Sequence, residues 1–167
     1  MIDVRIDDLA FLTGEAIARP VNAALAATTP IMRRLEQAAG EALARQLVLR
    51  EPLAVGSAVV TGAGALGVEL LIHAVVASDT EPVSRDSVRM ATTSALQRAA
   101  DFRIGHLDMA PFGLGAGNLD PEDSADAMLE AIGRHRVRAP FPASITIVVE
   151  TPAEAEAFSL RLTRPAS

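Results

Sequence analysis

The sequence predicts a layered α/β domain with a largely parallel central sheet. Strand-type and helix-type segments alternate along the 167 residues. One strand-type segment, Val68 to Val76 (VELLIHAVV), is almost continuously apolar, as in a strand covered on both faces. No Gly/Ser linker, charge block or internal repeat divides the chain, so a single domain over residues 1–167 is expected. Its 32 alanines beside five phenylalanines, with neither Tyr nor Trp, suit close helix-on-sheet packing.

Taken in order, Ile2, Val4 and Ile6 alternate at period two and open the chain as a strand. From Ile31 to Leu47 the apolar residues Ile31, Leu35, Ala39, Ala42 and Leu47 recur at helical spacing. Arg33, Arg34, Glu36, Glu41 and Arg45 fill the other face, which predicts one helix. Ala54 to Thr61 and Val68 to Val76 read as two strands split by the turn-forming GAGALG. Ser84 caps a predicted helix from Arg85 to Ala100, with Val88, Ala91, Ala95 and Ala99 on one stripe. Ile104 to Ala110 is a strand that runs into the glycine-rich PFGLGAGNL. Asp120-Pro121-Glu122-Asp123 starts a helix by three signals at once: a capping carboxylate, Pro at the first helical position and acid in the first turn. Arg134, Arg136 and Arg138, followed by Pro140 and Pro142, read as an exposed basic connector. Ile145 to Val149 is a strand, and Thr151-Pro152-Ala153-Glu154 is a capping box opening the last helix.

Composition removes several function classes. Every one of the 15 basic residues is Arg, the net charge is −6 and the pI is near 5.0. General nucleic-acid binding needs a cationic surplus to replace the counterions on phosphates, so it is not expected. Without Cys there is no disulfide, thiolate nucleophile or Cys-based zinc site. Neither a metal nor a cofactor is expected, because His106 and His135 have no partners at metal-ligand spacing. The start, MIDVRIDDLAFL, does not read as a secretory signal, and the apolar stretch Leu66–Ala77 is too short and interrupted to span a bilayer. The expectation is a soluble cytoplasmic protein that does not associate with membranes.

The segment richest in chemistry is Gly113-Leu114-Gly115-Ala116-Gly117-Asn118. Glycines let backbone N–H groups approach an anion closely, so the segment is either a phosphate cradle or a tight crossover turn. It matches neither a Rossmann fingerprint nor a Walker loop, and the chain has no Lys. Asp7 and Asp8 end the first strand, either as a solvated turn or as acceptors for a ligand amine or hydroxyl at the sheet edge. Asn22 reads as a turn cap or a ligand contact. His73, alone in an apolar strand, reads as a satisfied core residue rather than a catalyst.

In order and spacing these segments resemble a macro domain, the ADP-ribose-binding fold, over essentially the whole chain. Asp7-Asp8-Leu9 stands at the family's Gly-Asp-Ile, and Glu15 through Asn22 at its Asp-Ala-Ile-Val-Asn-Ala-Ala-Asn. Leu35-Glu36-Gln37-Ala38-Ala39-Gly40 matches the helix that ends in Ala-Ala-Gly. Val55 to Thr61 and Leu71-Ile72-His73-Ala74 match two family strands, and Gly113 to Leu119 resembles the second phosphate loop. The resemblance implies a three-layer α/β/α sandwich whose central sheet is mixed but mostly parallel, with a cleft at its carboxyl edge. It implies that Asp8 accepts from an adenine amine, assisted by the Leu9 N–H, and that Asn22 orients the distal ribose. Thr28, Thr29 and Ile31 would then border the ligand on the first loop, and Gly113, Leu114, Gly115, Ala116, Gly117 and Asn118 on the second. The implied partner is a small molecule of the ADP-ribose type, or a protein carrying it as an adduct.

The chain departs from this family at the first loop. Ala26 to Arg33 replaces its glycine cluster, and Pro30 removes one backbone donor. Met32 stands where hydrolytic members carry an Asp and cannot activate a water, while Arg19 replaces the first Asn of the Asn pair. Glu150 or Val148 replaces an aromatic near the last strand's end. The leading expectation is therefore weak binding. The alternatives are hydrolysis of an ADP-ribosyl ester or ADP-ribose 1″-phosphate, with Asn22 as the catalytic candidate, and a scaffold that keeps the fold without the nucleotide.

Overall fold

The computed structural model describes residues 1–164. Six strands form one sheet in the order β1-β6-β5-β2-β4-β3: β1 Ile2–Ile6, β2 Thr13–Asn22, β3 Ala58–Gly62, β4 Gly67–Ala77, β5 His106–Met109 and β6 Ser144–Val149. Every pairing is parallel except the β3–β4 hairpin, so the sheet is mixed but mostly parallel. The helices are α1 Pro30–Ala39, α2 Glu41–Gln46, α3 Arg85–Asp101, α4 Pro121–Arg138 and α5 Pro152–Leu162.

Two apolar clusters sandwich the sheet. On one face Ala91, Ala95 and Ala99 of α3, Ala125 and Met128 of α4 and Phe158 of α5 pack on Ala16, Ala18, Ile72, Ala74, Leu107 and Ile147. On the other, Met32, Leu35 and Ala39 of α1 and Leu43 of α2 pack on Ile17, Leu71 and Val148. Alternate residues of β2 and β4 supply opposite faces, as the strand period of two requires. The alanines bring α3 close to the sheet, and the three-layer sandwich follows from these two faces.

Three features differ from the sequence expectation. Strand β2, the sheet's central strand, was not expected, because Gly14, Arg19 and Pro20 interrupt its apolar run. The helix expected over Ile31–Leu47 is two helices, broken at Gly40, which adopts φ +79°. Arg134, Arg136 and Arg138 lie in the last turns of α4 rather than in a connector. That helix stops only at Ala139, held extended (φ −139°, ψ 141°) by the clash of Pro140 with a helical predecessor.

The hairpin turn between β3 and β4 packs onto the α1–α2 break. At Gly64, φ is +58°, and a Cβ there would lie 2.3 Å from the Ala39 carbonyl oxygen. Gly64→Ala combines this overlap with left-handed backbone strain, so a loss of about 2–4 kcal/mol is expected. A lowered urea midpoint at unchanged slope would confirm it, and a midpoint within error of wild type would refute it.

Candidate functional site

Strands β1, β6, β5 and β2 run in one direction, so their carboxyl ends share an edge, where open α/β sheets place their ligand crevices. Pro20 splits the sheet there. The β2–β5 ladder ends with the Ala110 amide donating to the Ala18 carbonyl at 3.0 Å, and Pro20 has no N–H to continue it toward Ala110. Between the diverging chain ends lies a cleft enclosing about 490 Å³, part of it open solvent.

Leu9, Met32 and Val148, all buried, form the cleft's apolar floor. Ile31, Pro20, Ala110, Pro111 and Leu114 add apolar walls. At one rim, Asp8 caps a 3₁₀ turn over Leu9–Phe11, its Oδ1 accepting from the Ala10 amide at 2.9 Å. Asp7 Oδ1 accepts from the Asp8 amide at 2.8 Å. Asp8 Oδ2 has no protein donor among the described residues, so one oxygen is anchored and the other is unbonded.

Next to Asp8, where the Asp7 amide donates to the Val149 carbonyl at 3.2 Å, Glu154 accepts from the backbone amides of Glu150 and Thr151 at 2.9 and 3.2 Å. Glu150 pairs with Arg34 of α1 at 3.2 Å. Partial burial raises the Glu150 carboxyl above its ordinary range; Glu154 and Asp8 push the same way, and Arg34 opposes them. The cleft is therefore acidic, with Asp7, Asp8, Glu150 and Glu154 lining it. Asp7, Asp8 and Glu150 were singled out in the sequence; Glu154 was legible there as a helix cap, which it also is.

Of the residues expected to touch a ligand, Asp8, Leu9, Thr29, Ile31 and Leu114 line the cleft. Asn22 does not. Its Oδ1 accepts from the amides of Ala24 and Ala26 at 2.9 and 3.0 Å, and the residue borders a separate hollow with Leu53 and Ser78. Asn22 Oδ1 is thus committed to its own turn, and the residue lies off the lining of this cleft. Gly113 also turns inward, since a Cβ there would meet Val88 Cγ2 at 2.6 Å. Thr28, Gly115, Ala116, Gly117 and Asn118 lie outside the lining.

The glycine-rich segment is a self-bonded turn in part. The amides of Asn118 and Leu119 donate back to the carbonyls of Gly115 and Gly113, each at 3.0 Å. The amides of Gly115, Ala116 and Gly117 donate to no protein acceptor among the described residues. A Cβ added at Gly115 would lie 3.3 Å from Asn118 Nδ2 and 3.6 Å from Thr29 Cγ2, so a side chain there would come into contact range of the loop before α1.

Behind the floor sits a second polar constellation. Arg19 is fully buried. Its Nε donates to His73 Nδ1 at 2.8 Å, Nη1 to Glu36 at 2.6 Å and Nη2 to the Leu25 carbonyl at 3.5 Å. Because His73 Nδ1 accepts, Nε2 carries the proton. It donates to Thr61 Oγ1 at 2.7 Å, whose hydroxyl donates to the Gly62 carbonyl at 2.8 Å. Burial, with the Arg19 charge beside it, lowers the His73 pKa to about 3. This network joins β2, α1, β3 and β4 directly beneath Pro20.

No described helix is long and apolar enough to cross a membrane. The family model for the Macro domain matches residues 18–128. An uncharacterised protein of Mycobacterium tuberculosis is 29% identical over 135 residues, covering 81% of this chain and 38% of that protein. The chain thus spans well under half the length of this mycobacterial relative. An uncharacterised protein of Aquifex aeolicus is 35% identical over 99 residues, covering 59% of this chain and 60% of that protein. Among solved structures, a variant macrodomain of Oceanobacillus iheyensis with ADPR superposes with a TM-score of 0.83 at 17% identity. It covers 95% of this chain and 90% of that one. A Trypanosoma brucei macrodomain in complex with ADP-ribose gives 0.85 at 14% identity, covering 96% of this chain and 68% of that one. At these identities the structural likeness establishes the fold.

Proposed function

The chain belongs to the macro domain family, and from that premise we propose that its cleft binds the adenosine end of an ADP-ribose-type ligand, weakly. The observation that carries this reading is Asp8. One oxygen is pinned by the Ala10 amide and the other is free at the rim of an apolar floor formed by Leu9, Met32 and Val148. A fixed carboxylate accepts from an exocyclic amine, and a flat apolar floor takes the face of a base. The ADP-ribose complex of the Trypanosoma brucei macrodomain supports the ligand class.

Weak binding follows from the first loop. Thr29 Oγ1 is spent capping α1, accepting from the Met32 amide at 3.3 Å, and Pro30 has no N–H to offer. The ligand arrives free or as an adduct on a protein. Titration calorimetry with ADP-ribose should give a saturable isotherm. Asp8→Ala should weaken binding by roughly 10- to 100-fold, the worth of a hydrogen bond to a charged group. No heat at millimolar ligand, or an unchanged affinity in Asp8→Ala, would overturn the proposal. The spent Thr29 hydroxyl and the missing Pro30 N–H favour a second reading, a fold retained after the nucleotide was lost, and absence of heat would favour it.

A further inference from the structure

We infer that Glu150 is a second specificity-determining residue of the cleft. With Asp8 it accepts the two N–H hydrogens of one primary amine on the base, so the cleft takes an aminopurine and rejects its keto counterpart. The inference rests on the adenosine-end reading above and adds to it the group that reads the base beside Asp8.

Two carboxylates of the cleft are each half-bonded. Asp8 Oδ1 accepts from the Ala10 amide at 2.9 Å, and its Oδ2 has no protein donor among the described residues. Glu150 repeats the pattern. Its Oε1 accepts from Arg34 Nη2 at 3.2 Å, and its Oε2 has no protein donor among the described residues. The backbone beneath it is pinned too, since the Glu150 amide donates to Glu154 Oε2 at 2.9 Å.

Both side chains line the cleft, and each stands beside a residue of its apolar floor. Asp8 directly precedes Leu9. Glu150 follows Val148 by two residues, the spacing that keeps side chains on one face of an extended chain. The Asp7 amide, donating to the Val149 carbonyl at 3.2 Å, ties the two chain ends together. The other carboxylates are engaged elsewhere. Asp7 spends Oδ1 on the Asp8 amide and Oδ2 on Arg5 at 3.4 Å, and Glu154 is turned back on the two amides it caps. Partial burial, Glu154 and Asp8 together hold the Glu150 carboxyl above its ordinary range against the pull of Arg34. Asp8 and Glu150 therefore repel each other over the floor.

A group that relieves two anionic acceptors at once has to bring two donors and no acceptor. The primary amine of an aminopurine carries two N–H hydrogens on one nitrogen. A keto oxygen in its place turns lone pairs toward both carboxylates and bonds neither. Hydrogen bonds to ionised acceptors are the strong ones, and a site built to receive N–H groups rejects the analogue that lacks them.

NMR titration of the full chain tests the inference with three ligands: ADP-ribose, its derivative methylated once on the exocyclic amine, and its hypoxanthine counterpart. The proteins are wild type, Glu150→Gln and Glu150→Ala. Wild type should bind ADP-ribose at least about tenfold more tightly than either analogue. In Glu150→Gln the amide oxygen stays with Arg34 and the amide nitrogen faces the ligand as a donor. The preference for ADP-ribose over the hypoxanthine counterpart should then shrink by about tenfold. In Glu150→Ala one acceptor remains, so the methylated ligand should bind within about twofold of ADP-ribose. An unchanged preference between the two bases in Glu150→Gln would overturn the inference and leave the adenosine-end reading intact. So would methylation that costs as much in Glu150→Ala as in wild type. Failure of ADP-ribose to bind any of the three proteins would overturn both.

Discussion

Arg19→Ala is expected to lower folding stability by about 3–5 kcal/mol and the thermal midpoint by roughly 6–20 °C in a chain of this size. The guanidinium has no exposure to water, and it makes three directed contacts: to His73, to Glu36 and to the Leu25 carbonyl. Truncation leaves the buried His73 Nδ1 without its donor, leaves a carboxylate of α1 beside an apolar void, and opens a cavity under the sheet. The three costs differ in size. Glu36 keeps a 28% exposed side chain and can rehydrate, so most of the loss comes from His73 and the cavity. Removing one partner of a buried polar set is worse than removing the set, because orphaned groups keep their desolvation cost. Arg19→Met with His73→Leu, which fills the volume and removes the orphan, should therefore recover much of what Arg19→Ala loses. Thermal and urea unfolding of the three proteins would show it; an Arg19→Ala protein within 1 kcal/mol of wild type would show that the network carries little stability.

This arginine also explains what could not be read in advance. A charged residue next to a proline argues against a central strand, since Pro cannot donate to a ladder and Arg is rarely buried. Both objections are met by residues distant in sequence: Glu36 and His73 neutralise and bond the charge, and β5 has already diverged where Pro20 would donate. Local patterning does not see such partners, which is why β2 was illegible while β4 and β6, mostly apolar, were plain.

Helix starts were legible because their chemistry is local. Ser84, Asp120 and Thr151 each accept from an amide three residues on. Periodicity missed the break at Gly40, where the family resemblance ends a helix, for the converse reason. A glycine costs a helix only about 1 kcal/mol, so a continuing apolar stripe hides a break. At the site, the strand end was legible in Asp8, and the loops only in part, through Thr29, Ile31 and Leu114. Asn22 and Gly113 carry residue types that serve a turn as well as a ligand, and the contacts they make are those of a turn. Glu154 shows the reverse: its capping role accounted for it fully, so its second position on the cleft wall gave no signal.

Acid is expected to destabilise the protein well before its exposed carboxylates are fully protonated, and His73 is the cause. In the unfolded chain a histidine takes up a proton near pH 6.5; in the folded chain His73 resists until about pH 3. Between those values the unfolded state binds a proton that the folded state refuses, so stability falls as pH falls, and the loss levels off below pH 3. Over the whole window the loss is about 4–5 kcal/mol. The structural reason is that protonating Nδ1 would end its bond from Arg19 and set two cations side by side, with Glu36 the one carboxylate on the network and Thr61 a neutral neighbour. Glu15, which accepts from the Gly105 and His106 amides, is held below its ordinary range and adds a loss of the same sign at lower pH. His73→Asn separates the two, because an amide can still accept from Arg19 and cannot titrate. Urea unfolding across pH 7 to 4 should show a steep decline in wild type and a shallow one in His73→Asn. Parallel declines in the two proteins would place the acid sensitivity elsewhere, on the carboxylates alone.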